Sequence, residues 1–286
     1  MCRALNVSMS GYYAWCRRPA SARDERDRTL RFQIVAFHAD SKKRYGSRPI
    51  VCDLRDIGER VSRRRVTKIM RAAGIRGKTP RAFKVTTDSK HQKQIAANLL
   101  DRHFAPFEIQ ASNRVWTSDI TYLRTHKGWL YLAVVLDLYS RRVVGWSMSH
   151  RLESRLVLDA LQTAAELRSI DHAVLVHSDR GVQFASDAVQ RFYDRHGMVC
   201  SMSRKGNCWD NAVTESFFAT LKRELDDPIF ETRESARAIT FEYIEIWYNR
   251  KRRIRRSDTS TPSSSKRIRL HKLRVYETEA TPQTRC

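Results

Sequence analysis

Three carboxylates occupy places where a charge needs a reason. Asp119 lies in WTSDITYL, beside Trp116, Ile120 and Tyr122. Asp179 follows the apolar run Ala173-Val174-Leu175-Val176 and its His177-Ser178 end. Glu215 sits in NAVTESFFATLK among Ala212, Phe217, Phe218 and Leu221. A carboxylate beside apolar neighbours is costly unless it is paired or bound to a cation. Three that converge make an all-oxygen site suited to Mg2+, which needs only one or two carboxylates per ion and accepts substrate phosphate besides. Two such ions about 4 Å apart can activate an attacking oxygen and stabilise a leaving one in phosphoryl transfer. One at a time, the residues have plainer readings. Asp119 could pair with an arginine, Asp179 could cap a turn, and Glu215 could sit on a solvated helix face. Other acids compete. Asp137, followed by Leu-Tyr-Ser-Arg, reads as a turn residue, and Asp210 as an acid at a helix N-terminus.

A frame is required to bring these acids together. From Val115 the texture is that of strands: WTSDITYLRT, a turn at His126-Lys127-Gly128, the near-continuous apolar run WLYLAVVLD, then RRVVGWSMS. A helix is expected over 153–169, a strand over 173–176, a helix over 186–196 and a strand over 199–202. A long helix over 210–225 and another over 234–248 complete the order βββαβαβαα. This is an α/β domain with a mixed sheet.

The segment before it is helical. Residues 2–16 form a short piece that Pro19 interrupts; 24–39 carries Leu30, Ile34 and Phe37 on one face; 49–57 follows. A further helix starts after Ser62, with Val66, Ile69, Met70 and Ala73 on one face and Gly74 closing it. Its other face holds Arg63, Arg64, Arg65, Lys68 and Arg71. Short helices with a basic last member fit a helix-turn-helix DNA-binding unit; the plainer reading is a helical bundle with a solvated charged face. Polar, basic residues follow, with one short helix near 94–100. The divisions are therefore a helical segment at 1–20, a helix-turn-helix-like domain at 21–77, a linker at 78–112, the α/β core at 113–250 and a basic tail at 251–286.

Charge supports a polyanion partner. The 286 residues carry 54 Lys+Arg against 31 Asp+Glu, a formal net charge of +23. Residues 1–105 hold 25 basic and 9 acidic groups, 106–249 hold 17 and 19, and 250–286 hold 12 and 3. A near-neutral core between two basic flanks suits nucleic acid better than a small substrate. The 6 cysteines form no C-x-x-C pair, so neither a zinc site nor a disulfide framework is expected. No run approaches the roughly 20 apolar residues of a membrane span. Arg3 and Asn6 interrupt the first residues, so a secretory signal is not expected and the setting reads as reducing cytoplasm.

Asp179 and Glu215 are 36 positions apart, with 35 residues between them. This spacing resembles the D-D-x(35)-E triad of insertion-sequence transposases and retroviral-type integrases. The words WTSDITYL, HSDRGVQFAS and SRKGNCWDNAVTESFFATLKRE are similar to those of one group, the second-frame proteins of bacterial insertion sequences whose two frames are joined by programmed frameshifting. Upstream, SGYYAW, YGSRPI and VTKIMRAAGIRG resemble the helical segment of the same group, so the likeness spans about residues 2–253.

The resemblance implies a ribonuclease-H-like core in which Asp119, Asp179 and Glu215 bind two Mg2+, with Mn2+ able to substitute. It implies metal-dependent DNA cleavage and strand transfer during transposition, with no covalent enzyme intermediate. Lys222, two helical turns after Glu215, would contact DNA phosphate. Trp209 and Asn211 would support the turn before Glu215, and Arg180, His177 and Ser178 would orient phosphate. The implied partners are the element's ends and target DNA, the upstream-frame DNA-binding protein, and further copies of the chain on DNA, in the bacterial cytoplasm at the nucleoid. Retroviral members carry an N-terminal zinc module whose spacing is absent here.

Two departures stand out. The chain starts inside what reads as the first helix of a helix-turn-helix, so recognition of the element's ends is expected from the upstream frame. After EYIEIWYNRKRR the group continues with a His-Ser-x-Leu-Gly-Tyr-like word, whereas here IRRSDTSTPSSSKRIRL follows. A shift of reading frame near 253–254 would explain this and predicts a disordered tail; a genuine basic DNA-binding tail is the alternative. The competing functions are thus a truncated or decayed copy that binds DNA without catalysis, and a general nuclease of the same fold.

Overall fold

The computed structural model describes residues 2, 6–78, 96–101, 103, 109, 111–168, 170, 172–204, 211–226 and 229–253. Trp209, Asp210, most of the linker and the tail from 254 lie outside the described residues. The chain divides into two compact units, one within Met1–Thr79 and one within Pro80–Arg267.

The first unit holds α1 (Met9–Arg17), α2 (Ala22–Asp40), α3 (Ser47–Asp56) and α4 (Arg63–Ala72). A reciprocal capping box between Ser21 and Asp24 starts α2 at Ala22, two residues before the expected start at 24. Leu30, Ile34 and Phe37 of α2, Ile50, Val51 and Leu54 of α3, and Val66, Ile69 and Met70 of α4 form the buried faces of three mutually contacting helices. Gly58 and Gly74 end α3 and α4 at φ +89° and +67°, a region that suits glycine. Pro49 lies in the first turn of α3, where its missing N–H leaves no helical bond unmade. The first helix differs from expectation. It begins only at Met9, where the Ser8 hydroxyl caps it, and none of its residues is buried.

The second unit is built on a five-stranded sheet ordered β3-β2-β1-β4-β5. Strands β1 (Val115–Thr125), β2 (Gly128–Asp137) and β3 (Val143–Ser149) are antiparallel, while β4 (Leu175–Ser178) and β5 (Val199–Met202) run parallel to β1. Its helices include α5 (Ser154–Leu167), α6 (Asp187–Arg195), α7 (Ala212–Glu224), α8 (Arg233–Phe241), and a π-helical continuation, Glu242–Tyr248. The order βββαβαβαα and the mixed sheet are as the sequence predicts. Trp116, Val135, Leu161, Val176, Phe192 and Met202 belong to one buried cluster that joins sheet and helices. Gly145 in β3 lets α5 approach closely, since a β-carbon there would run into the Ala160 carbonyl and Ala164.

Three details correct the sequence reading. Strand β4 extends through His177 and Ser178, because both are paired with β1 and β5. Residues 96–100 form no helix. Instead the Met202 N–H donates to the Ala97 carbonyl and the Leu99 N–H to the Ser201 hydroxyl, so this segment covers the outer edge of β5. The last helix widens from α to π at Glu242, which brings the Tyr243 hydroxyl and the Trp247 indole N–H onto one buried acceptor, the Glu224 carboxylate.

Candidate active site

Strand register sets the first two acids side by side. Ser118 of β1 and Ser178 of β4 are partners in the parallel pair, and Asp119 and Asp179 are the residues that follow them. Both serines are fully buried and both aspartates are half-buried. The aspartates therefore emerge at the same level, where β4 ends and β1 continues.

Buried hydroxyls bring the third acid to them. Thr117 donates to Asn211 Oδ1 at 3.0 Å and stands 2.8 Å from the Thr214 hydroxyl. With its own proton committed to Asn211, Thr117 must accept from Thr214. Thr117 and Asp119 share one side of β1 by strand alternation. Thr214 immediately precedes Glu215, so the first turn of α7 is pinned to the side of the strand that carries Asp119.

Electrostatics show that the three acids share one neighbourhood. The Asp119 carboxyl is pushed well above the ordinary aspartate range, first by burial, then by the negative charge of Asp179, with a smaller push from Glu215. The Ile120 N–H, 2.7 Å from Asp119 Oδ1, opposes this only in part. Glu215 is also pushed up, by burial. Negative charge gathered in this way favours a cation, and an all-oxygen donor set favours a hard one. Among the described residues no three His, Cys, Asp or Glu side chains close into a compact metal cluster. The arrangement is an open one: two adjacent aspartates faced by a glutamate from the helix.

Asp179 is held by a residue that the sequence reading passed over. The Gly181 N–H donates to Asp179 Oδ1 at 2.9 Å. A β-carbon at 181 would lie 2.9 Å from that same oxygen and 3.2 Å from Gln183 Oε1. The signal was present in the word HSDRGVQF, but only the folded turn explains the glycine.

The remaining site candidates divide by what they touch. Asn211 is buried at the foot of α7 and holds Thr117. Trp209 lies outside the described residues. Arg180 donates through Nε to the Ser203 carbonyl at 2.6 Å, tying the Asp179 turn to the end of β5. His177 and Ser178 are buried; His177 Nδ1 is 2.9 Å from the Ser201 hydroxyl, and Ser178 donates to the Asp179 carbonyl. Both belong to the buried end of the sheet. Lys222 places its ammonium 4.8 Å from the centre of the Tyr122 ring. In the first unit Arg63, Arg64, Lys68 and Arg71 are exposed, whereas half-buried Arg65 pairs with Asp27 at 2.7 Å and joins α4 to α2.

The fold is that of the integrase-core class of proteins. Two family models described as "Integrase core domain" match residues 109–208 and 196–262, and one described as "HTH-like domain" matches 24–83. "Transposase InsF for insertion sequence IS3A" of Escherichia coli (strain K12) is 43% identical over 256 residues, 88% of each chain. "Insertion element IS600 uncharacterized 31 kDa protein" of Shigella sonnei is 38% identical over 265 residues, 92% of this chain and 96% of that one. Among solved structures, the HTLV-2 integrase catalytic core domain in complex with magnesium is 19% identical, with a TM-score of 0.37, over 48% of this chain and 90% of that one. The chain belongs to the IS3 family of insertion-sequence transposases, with a helix-turn-helix-like segment before a ribonuclease-H-like integrase core. Among the described residues no helix is long and apolar enough to cross a membrane.

Proposed function

We propose that Asp119, Asp179 and Glu215 are the catalytic carboxylates of this transposase and together hold two divalent cations, Mg2+ or Mn2+. One observation carries the reading: the Ser118–Ser178 register sets both aspartates at one level, and the charges of Asp179 and Glu215 add to the burial that raises the proton affinity of Asp119. Bound there, such ions would activate the attacking oxygen and stabilise the leaving one.

The chain's own residues supply the positioning. The amides of Ile120 and Gly181 each hold one oxygen of an aspartate and so set the direction of the other. Thr117, Asn211 and Thr214 keep α7, and with it Glu215, against β1. Lys222 meets a DNA phosphate near the scissile bond. Arg180 fixes the Asp179 turn. In the first step water attacks a phosphodiester and the DNA 3′-oxygen leaves, taking up a proton. In the second, that 3′-hydroxyl attacks a target phosphodiester and a new 3′-oxygen leaves. No enzyme–DNA bond forms in either.

Arg63, Arg64, Lys68 and Arg71 grip the DNA backbone, with Arg65 contributing beyond its pairing to Asp27. The functional divisions follow those drawn from the sequence, with DNA binding at 21–77 and catalysis at 113–250. Copies of the chain pair two element ends, and the upstream-frame protein of the same element supplies end recognition in the bacterial cytoplasm, at the nucleoid. The test is a cleavage and strand-transfer assay on the element's ends with Mg2+ or Mn2+. Glu215→Gln should abolish both steps while DNA binding persists; retained cleavage in that variant would overturn the assignment.

A further inference from the structure

We propose that Trp129 and Tyr122 form a stacking site for an unpaired DNA base, next to the phosphate that Lys222 contacts. The inference rests on the DNA-cleaving role proposed above and adds the form of DNA the site takes, an end whose last bases are separated.

The geometry begins with two elements that meet twice. Strand β1 carries Asp119 and, three residues on, Tyr122; at about 3.3 Å per residue these are roughly 10 Å apart. Helix α7 carries Glu215 and, seven residues on, Lys222, also roughly 10 Å away at about 1.5 Å per residue. The same strand and helix that place two of the acids therefore meet again where the Lys222 ammonium sits over the Tyr122 ring. Along β1 the second meeting point lies about three stacked base steps of roughly 3.4 Å from the first, and by strand alternation Tyr122 leaves the face of β1 opposite to Asp119.

Trp129 completes the platform. Arg124 and Trp129 are register partners, and so are Tyr122 and Tyr131, which makes Tyr122 and Trp129 a diagonal pair on one face of the hairpin. Their rings meet edge to face, with centroids 5.0 Å apart at 77°. Trp129 nonetheless remains 46% exposed. A lone exposed apolar side chain needs no explanation. This one is packed against an aromatic ring that already carries a cation. Arg124, His126 and Lys127 are exposed around it, and the Arg233 guanidinium lies over Gly128. The rim is cationic and the centre is aromatic, a composition suited to a single strand.

Bases inside a duplex bury their faces against one another, so an aromatic platform can take only a base that has left the stack. Stacking of this kind tolerates any base, and it would hold a separated strand across β1 from Asp119 without reading its sequence. Tyr122 acts as a positioning residue, since its ring keeps the Lys222 ammonium at the edge of the platform.

The experiment uses the full chain and two synthetic DNAs: a blunt duplex, and the same duplex with a short unpaired 3′ tail carrying 2-aminopurine. The wild type should bind the tailed duplex about tenfold more tightly than the blunt one, the effect of one stacked base, and should quench the 2-aminopurine. Trp129→Ala should bind the tailed duplex no better than the blunt one and lose the quenching, whereas Trp129→Phe should keep most of both. Equal preference and quenching in Trp129→Ala, or no preference in the wild type, would overturn the proposal. Glu215→Gln should keep the tail preference. If Glu215→Gln still cleaves, the carboxylate assignment fails while the stacking result stands on its own.

Discussion

The Gly181 amide donates to Asp179 Oδ1 at 2.9 Å, and a β-carbon at 181 would stand the same distance from that oxygen. Glycine at this position is thus part of how the carboxylate is aimed. Gly181→Ala should push Asp179 out of line while the sheet stays folded. A displacement on the order of 1 Å at a reacting centre can lower rates about 100-fold. The strand-cleavage rate should fall on that scale, with little change in melting temperature. A variant that cleaves at the wild-type rate would show that the turn does not aim the carboxylate.

Asp119 links the site to stability. Its folded-state proton affinity is raised above that of the unfolded chain by burial, Asp179 and Glu215. The folded state therefore holds the proton more tightly, and stability falls as pH rises from the ordinary aspartate value, about 3.9, through the raised one. Asp119→Asn keeps an oxygen for the Ile120 amide and removes the charge. In chelator at neutral pH it should melt above the wild type, and the difference should shrink on acidification. Mg2+ should raise the wild-type melting temperature more than that of the variant. Parallel melting curves across pH would count against the shared electrostatic neighbourhood.

Thr117 and Thr214 are fully or nearly fully buried and anchor α7 through Asn211. Thr117→Val retains the shape but strands the Asn211 acceptor and the Thr214 donor. Stranded buried groups cost about 1–3 kcal/mol each. The denaturation midpoint should drop accordingly, and cleavage should fall because Glu215 rides on the loosened turn. An unchanged midpoint in urea would mean that other contacts hold α7.

Glu224 is the buried hub at the other end of α7. Its carboxylate accepts from Tyr243, Trp247 and Arg252, with Arg252 Nε at 3.0 Å. Glu224→Ala leaves the mostly buried Arg252 charge without this partner, which should cost about 3–5 kcal/mol. Glu224→Gln keeps an acceptor and should cost less. Urea unfolding of the two variants distinguishes these outcomes; equal small losses would make the network ornamental.

Arg65 and Lys68 lie one helical turn apart on α4 yet should behave differently. Arg65 is half-buried against Asp27, so Arg65→Ala should lower stability by roughly 0.5 kcal/mol, the scale of a partly exposed pair. Lys68 is exposed, and Lys68→Ala should weaken DNA binding and reduce the salt slope by about one unit. A salt titration of binding beside a melting series separates the two.

Much of this was legible before folding. The βββαβαβαα order shows because strand alternation and helical periodicity are local properties of the chain. The acids stood out because a carboxylate in an apolar word violates the local pattern, and the 35 residues between Asp179 and Glu215 matched a known spacing. The basic face of α4 showed for the same reason, since residues three and four apart share a side. Less was legible at 96–100, where a helical pattern yielded to the demands of the β5 edge, and at β4, whose extent depends on the strands beside it.

The sequence by itself determined which residue types are present, how they alternate, and therefore which elements form and which acids need a partner. Tertiary structure alone decided the company they keep. Thr117 meets Asn211 and Thr214 across 94 and 97 positions, and Ser118 meets Ser178 through strand register. It also drew Arg65 into an ion pair with Asp27 and placed Lys222 over Tyr122. Periodicity reports only on neighbours within a few residues. Contacts between distant segments depend on how the helices and the sheet pack, and no local pattern carries that information.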